Sequence, residues 1–182
     1  MSLATRANGQ RAVFLDRDGV LNEVVVESGV PLSPRCVEEL RIAAGSFEAI
    51  QRLRERSLRV FVASNQPDVA RGNLAPQELA RMTALLQQAL PLDEVAICPH
   101  DDVDACTCRK PLPGLLVAVA QRWGVDLSRS YMVGDSWKDV EAGRRAGCHT
   151  ILLRRDYNAA AQADTVVNTL SEAVQFILRD GD

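Results

Sequence analysis

Val13-Phe14-Leu15-Asp16-Arg17-Asp18-Gly19 decides the fold of this chain. Three apolar residues of strand type run directly into two carboxylates separated by one arginine, and a glycine follows. A short apolar run bounded by a turn signal reads as a buried strand. Solvated charge is out of place at the end of such a strand, whereas chemistry is at home there. In an open α/β sheet, ligands bind outside the carboxyl ends of the strands. Two acids at that position can share a hard cation and divide nucleophilic and proton-transfer roles.

Outward from this stretch, strand and helix patterns alternate. Further strands are expected at Leu58 to Ala63, Val95 to Ile97, Tyr131 to Val133, Thr150 to Leu153 and Val166-Val167. Helical spacing carries Phe47, Ile50 and Leu53 after Gly45-Ser46, and Leu79, Met82, Leu85, Leu86 and Leu90 after Pro76. Further helices are expected over Leu115 to Trp123, stopped by Gly124, over Trp137 to Ala146, stopped by Gly147, and over Leu170 to Leu178. Residues 22–40, with Gly29, Pro31 and Pro34, read as an irregular excursion or flap after the first strand. The alternation predicts an α/β fold, a parallel sheet with helices on both faces.

The chain has 182 residues, 47% of them hydrophobic, which suits a single domain over residues 11–182 with a real core. Residues 1–10 are polar, carry no apolar signal-peptide core, and are expected to be disordered. The net charge of −3, without a basic run, argues against nucleic acid as a partner. No apolar stretch reaches membrane-spanning length. A cytoplasmic monomer is expected.

Three of the five cysteines fall within eleven residues, as Cys98-Pro99-His100 and Cys106-Thr107-Cys108. In a reducing compartment such a cluster reads as a metal site rather than a disulfide framework. Cys98, His100, Cys106 and Cys108 form a Cys₃His set, which suits tetrahedral Zn²⁺ and leaves no open position for water. A closed site of this kind is structural, and it would pin the loop that delivers Arg109 and Lys110. Cys36 and Cys148 read as ordinary thiols, and His149 as a non-ligand residue at a strand start.

Four segments follow predicted strands: Asp16 to Asn22, Ser64-Asn65-Gln66, Arg109-Lys110-Pro111 beyond the cysteine loop, and Gly134-Asp135-Ser136 with Asp139 close behind. In a parallel sheet these converge on one edge. Three acids, a hydroxyl and a lysine there make a metal-assisted phosphoryl-transfer site. A carboxylate can attack phosphorus, and a second carboxyl can protonate the leaving alkoxide and then activate water. Mg²⁺ offsets the repulsion between anionic nucleophile and anionic substrate. A hydroxyl and an ammonium hold the phosphoryl oxygens as charge shifts.

The set D-R-D-G-V-L-N, S-N-Q, R-K-P and G-D-x-x-x-D, in this order, resembles the haloacid dehalogenase (HAD) superfamily of phosphatases. The likeness is nearest to the branch that hydrolyses D-glycero-D-manno-heptose 1,7-bisphosphate at its 7-phosphate, with the histidinol-phosphate phosphatases as near cousins. It spans about Val13 to Leu153. It implies a modified Rossmann sheet with a small flap, Asp16 as nucleophile and Asp18 as general acid/base. Mg²⁺ would be held by Asp16, the backbone carbonyl of Asp18, and Asp135. Ser64 would bind the phosphoryl group, Asn65 would position substrate, Lys110 would stabilise phosphoryl charge, and Asp139 would orient Lys110 or the metal shell. Arg109 would reach the substrate. The C-x-H…C-x-C element is typical of the heptose branch.

This chain departs from that pattern at several positions. Ser64 stands where threonine is common, Ser136 where many heptose-type members carry lysine, and Pro67-Asp68 follow Gln66 in place of Ser-Gly. The flap lacks a tyrosine often found there. These changes surround the leaving group rather than the phosphoryl centre, so they bear on the choice of phosphosugar more than on the reaction. Two rivals follow: a histidinol-phosphate phosphatase, and a zinc-stabilised scaffold without turnover, against which the intact Asp16, Asp18, Lys110 and Asp135 argue.

Overall fold

Every side chain of β1 (Ala12–Leu15) is buried, which only a strand covered on both faces achieves. Successive side chains point to opposite faces. Val13 and Leu15 enter a core shared with α1 (Ser46–Glu55) and α5 (Leu170–Asp180). Ala12 and Phe14 enter a second core with Leu115, Leu116 and Val119 of α3 (Gly114–Trp123). The computed structural model describes residues 9–158 and 160–180. The remaining strands are β2 (Val25–Glu27), β3 (Val30–Leu32), β4 (Arg59–Asn65), β5 (Glu94–Cys98), β6 (Tyr131–Gly134), β7 (His149–Leu153) and β8 (Thr165–Val167). The remaining helices are α2 (Pro76–Ala89) and α4 (Trp137–Ala146).

Six strands form one parallel sheet in the order β5-β4-β1-β6-β7-β8. The chain moves outward from β1 in one direction through β4 and β5, then returns to β1's other side for β6 to β8. That reversal makes the carboxyl end of β1 a topological switch point, where flanking loops diverge and leave a crevice. The sheet and its two helical layers agree with the expected fold. Pro76 opens α2, and α3 and α4 end on Gly124 and Gly147 in left-handed conformation, as their sequence signals require. Among the described residues, no helix is long and apolar enough to cross a membrane.

Three expectations need correction. The segment read as an irregular flap contains a hairpin, β2 paired antiparallel with β3. Ser28 and Gly29 both have positive φ (50° and 79°), the geometry of a tight two-residue turn whose twist matches the strands. The second correction concerns β4, which runs on through Ser64 and Asn65 because β5 pairs with it as far as Cys98, so these two residues belong to a strand end rather than a loop. The third concerns Gln10, expected in a disordered leader: its N–H donates to the Gly124 carbonyl and its carbonyl accepts from Asp126, both at 3.0 Å. Residues 1–8 lie outside the described residues.

Candidate active site

Lys110 is the centre of the crevice at the carboxyl edge. Its Nζ lies 2.8 Å from Asp16 Oδ1 and 2.5 Å from Asp139 Oδ1, and donates to the Ala63 carbonyl at 2.6 Å. The side chain is 2% exposed. Burial would push the ammonium down, yet the carboxylates of Asp139 and Asp16 overcome it and hold Lys110 charged. A lysine so neutralised stays buried at tolerable cost.

Asp16 follows β1, its N–H tied to the Val133 carbonyl on the neighbouring strand. Oδ1 accepts from the Arg17 N–H at 2.8 Å as well as from Lys110, while Oδ2 has no protein partner among the described residues. Burial and the negative charges of Asp139 and Asp18 push this carboxyl up to about 7, against the pull of Lys110. Asp135, at the end of β6, is pushed up to about 6, first by burial and then by Asp16. Asp139 is also raised, by burial and by Asp135. Half-buried Asp16 and buried Asp135 and Asp139, whose ligand atoms lie within 4.8 Å of one another, outnumber the one ammonium beside them. Hard-oxygen donors in that arrangement fit Mg²⁺. The Asp18 carbonyl has no backbone hydrogen-bond partner among the described residues, so it is available as a further oxygen ligand.

Glycine makes the approach of these groups possible. A Cβ on Gly19, which has φ of 77°, would stand 1.9 Å from Asp135 Oδ2. A Cβ on Gly134 would stand 2.2 Å from the Asp139 Cβ. Asp139 also closes a capping box at the start of α4, accepting from the Ser136 N–H at 3.0 Å.

Asp18 has a different environment. Arg17 reaches both its oxygens at 3.0 Å, Asn22 donates at 2.9 Å and Gln66 at 2.8 Å. Burial raises its pKa, but these donors outweigh that, and the carboxyl lies below the usual range. Arg17 and Gln66 are themselves buried, and Gln66 Nε2 also donates to Ser64 Oγ at 2.9 Å. One network therefore joins Ser64, Gln66, Arg17 and Asp18.

Asn65 lines the cleft with its amide tied to Lys110. It accepts from the Lys110 N–H at 3.0 Å and donates to the Lys110 carbonyl at 2.9 Å. Arg109 lines the cleft, but Nε is bound to Asp102 at 2.6 Å and Nη2 lies 3.7 Å from Asp101. Both residues were expected to contact substrate. Both line the cleft, where Asn65 also holds Lys110 and Arg109 also braces the cysteine loop.

In that loop Cys98, His100, Cys106 and Cys108 come together as expected. The Sγ–Sγ separations are 3.1, 3.5 and 3.6 Å, and His100 Nδ1 lies 3.3 Å from Cys108 Sγ. Tetrahedral Zn–S bonds give edges of about 3.8 Å, so a small expansion would admit Zn²⁺. Cys36 is half-buried in the flap region and Cys148 is buried in the second core. His149 bonds Thr165 Oγ1 at 2.9 Å and stacks on Phe176, away from any cluster.

Four further residues belong to the site. Arg17 and Gln66 stood inside the quoted motifs, but their partners become visible only in three dimensions. Tyr157 donates its hydroxyl to Asp135 Oδ2, and Asn158 donates to the Asp135 carbonyl at 2.7 Å. They follow β7, so the rule that all strand-end loops converge on one edge would have found them.

Comparison with known proteins agrees with this geometry. The HAD-hydrolase-like family matches residues 107–173. The chain is 38% identical over 151 residues to D-glycero-beta-D-manno-heptose-1,7-bisphosphate 7-phosphatase of Bordetella bronchiseptica, covering 79% of this chain and 80% of the relative. It is 35% identical over 191 residues to D-glycero-D-manno-heptose-1,7-bisphosphate 7-phosphatase of Thermosynechococcus vestitus, covering 91% and 94%. The crystal structure of D,D-heptose 1,7-bisphosphate phosphatase from B. bronchiseptica, complexed with magnesium and phosphate, superposes with a TM-score of 0.81 at 30% identity, over 94% of this chain and 99% of that one. Sheet order, carboxylate cluster and relatives agree, and the chain belongs to the HAD family of phosphatases.

Proposed function

We propose that this protein is a Mg²⁺-dependent phosphomonoesterase that removes the 7-phosphate of D-glycero-D-manno-heptose 1,7-bisphosphate through an aspartyl-phosphate. The observation that carries this reading is the buried Asp16–Lys110–Asp139 bridge beside Asp135. The names of the relatives support the substrate.

Asp16, the Asp18 carbonyl and Asp135 would hold Mg²⁺, which when bound supplies the positive charge that lets an anion approach an anion. Asp16 attacks phosphorus, the bond from phosphorus to the sugar oxygen breaks, and the alkoxide takes a proton from Asp18. Water then attacks the phosphorylated Asp16, Asp18 takes its proton, and phosphate leaves. Asp18 lines the same cleft as Asp16 and would do this work, whereas Asp139 is tied to Lys110 and Asp135 would hold the metal. The Arg17 network holds Asp18 ionised, ready as base for the second step. For the first step Asp18 must gain a proton as substrate binds. Lys110 and the Ser64 hydroxyl steady the transferred oxygens. Zn²⁺ at Cys98, His100, Cys106 and Cys108 would anchor the segment that ends in Lys110.

Phosphate release should be measured with Mg²⁺ on both heptose 1,7-bisphosphate anomers, histidinol phosphate and a 3′-phosphorylated oligonucleotide. A strong preference for the heptose supports the reading, and no release from any substrate brings the scaffold reading forward. Asp16→Asn should abolish turnover while leaving the fold intact. Metal analysis of protein purified without added zinc should find about one Zn per chain. An intact fold without zinc would remove that part of the reading.

A further inference from the structure

The chain that leaves β7 sends the side chains of Arg155, Tyr157 and Asn158 back to the carboxyl edge of the sheet. Tyr157 and Asn158 end on Asp135. Arg155, half-buried, ends on a different segment. Its Nη2 donates to the Gly19 carbonyl at 2.9 Å, across 136 positions of chain. Its Nη1 donates to the Arg154 and Asn168 carbonyls, at 2.9 Å each. The Arg155 N–H donates to Asn158 Oδ1 at 2.9 Å, and Asn158 Nδ2 bonds the Asp135 and Leu153 carbonyls at 2.7 and 3.0 Å. A planar guanidinium bonded through both Nη atoms is a stiff brace.

Gly19 has the freest kind of backbone, and at φ of 77° no side chain of its own limits it, so its position depends on outside bonds. Its N–H donates to the Asn22 carbonyl at 2.8 Å, and its carbonyl accepts from Arg155. The Asp18–Gly19 peptide is a rigid plane, so the bond to Asn22 sets where the Asp18 carbonyl points. Gly19 also packs so closely on Asp135 that an added Cβ would stand 1.9 Å from Oδ2. The backbone of Gly19 thus adjoins both the Asp18 carbonyl and the Asp135 carboxylate.

We propose that Arg155 is a positioning residue for the metal site, holding the Asp18–Gly19 backbone against Asp135 so that the Asp18 carbonyl and the Asp135 carboxylate can bind one Mg²⁺ together. This rests on the Mg²⁺ reading given above and adds a residue outside the four segments that form the site. The charge of Arg155 by itself would act the other way. It reaches Asp135, and a cation beside the site repels a second one. Removing only a charge would tighten Mg²⁺ binding, whereas removing a brace weakens it.

The test is the Mg²⁺ dissociation constant of wild type, Arg155→Met and Arg155→Lys, measured on the full chain by isothermal titration calorimetry at one pH. In Arg155→Met the constant should rise between about tenfold and a hundredfold. Arg155→Lys keeps the charge and a donor without the fork, and its value should lie between the other two. With phosphate release as a second readout, saturating Mg²⁺ should restore kcat of Arg155→Met toward wild type, which general damage to the fold would not allow. An unchanged or tighter constant in Arg155→Met, or a kcat that excess Mg²⁺ does not restore, overturns the proposal. If Arg155→Met fails to fold, Arg155→Lys decides alone, and a wild-type constant there overturns it. A wild type that binds no Mg²⁺ overturns the metal reading itself, and the role of Arg155 falls with it.

Discussion

Asn65 and Lys110 clasp each other through a reciprocal pair of hydrogen bonds, the Lys110 N–H to Asn65 Oδ1 at 3.0 Å and Asn65 Nδ2 to the Lys110 carbonyl at 2.9 Å. The strand end thereby fixes the backbone of a lysine that arrives from a long loop, and its ammonium falls between two carboxylates. Asn65→Ala leaves both Lys110 backbone groups without these partners, at a cost of about 1–3 kcal/mol. We expect kcat to fall between about tenfold and a hundredfold with KM little changed. Kinetics that show the loss in KM alone would assign Asn65 to substrate contact.

Gly19 is irreplaceable for a different reason. Any side chain there collides with Asp135 Oδ2 and must also adopt φ of 77°. Gly19→Ala should displace Asp135 and abolish the thermal stabilisation by Mg²⁺, while the zinc content stays at the wild-type level. Tyr157→Phe is the milder relative of this change. It removes the hydrogen bond that orients Asp135, and the Mg²⁺ needed for half-saturation should rise about tenfold or more.

The carboxylate cluster makes metal affinity depend on pH. Asp16 is raised to about 7 and Asp135 to about 6, so in the metal-free protein both sites take up protons near neutrality. With folded values above the ordinary carboxylate value, these groups destabilise the metal-free fold increasingly as pH rises from that ordinary value to about 7. Mg²⁺ bound at these carboxylates would relieve this repulsion by displacing protons. The Mg²⁺-induced rise in Tm should therefore be small near about pH 5 and larger near about pH 8. Calorimetric scans at both pH values, with and without Mg²⁺, measure it. An equal shift at both would contradict the crowding of charge at Asp16 and Asp135.

Asp93 ties the start of β4 to the chain entering β5. Its side chain, 4% exposed, accepts from the Val60 N–H at 2.8 Å and from Arg54 and Arg59 at 2.7 Å each. Burial raises its pKa, but these three donors prevail and hold it below the usual carboxylate range. With a depressed folded pKa, its contribution is complete above the ordinary carboxylate value and is lost as pH falls through the folded value. Asp93→Asn should cost about 2 kcal/mol at neutral pH. Urea titrations of both proteins should show the difference shrinking toward acid pH.

The sheet, its helices and the four segments that meet at its carboxyl edge follow from local patterns along the chain. These rest on local signals, since apolar runs bury, Gly124 and Gly147 stop helices, and parallel strands align their carboxyl ends. Asp16, Asp135, Lys110 and the Cys₃His cluster were legible for the same reason: their residue types at their spacings have few other uses. Which polar groups spend their hydrogen bonds on one another emerges only on folding. Asn65 holds Lys110, Arg109 is bound by Asp101 and Asp102, Asp18 lies within the Arg17–Gln66 network, and Tyr157 reaches Asp135 across 22 positions of chain. A motif states that a side chain is present. Whether its charge or amide is free to meet a ligand depends on neighbours brought close by folding, and sequence spacing carries no record of them.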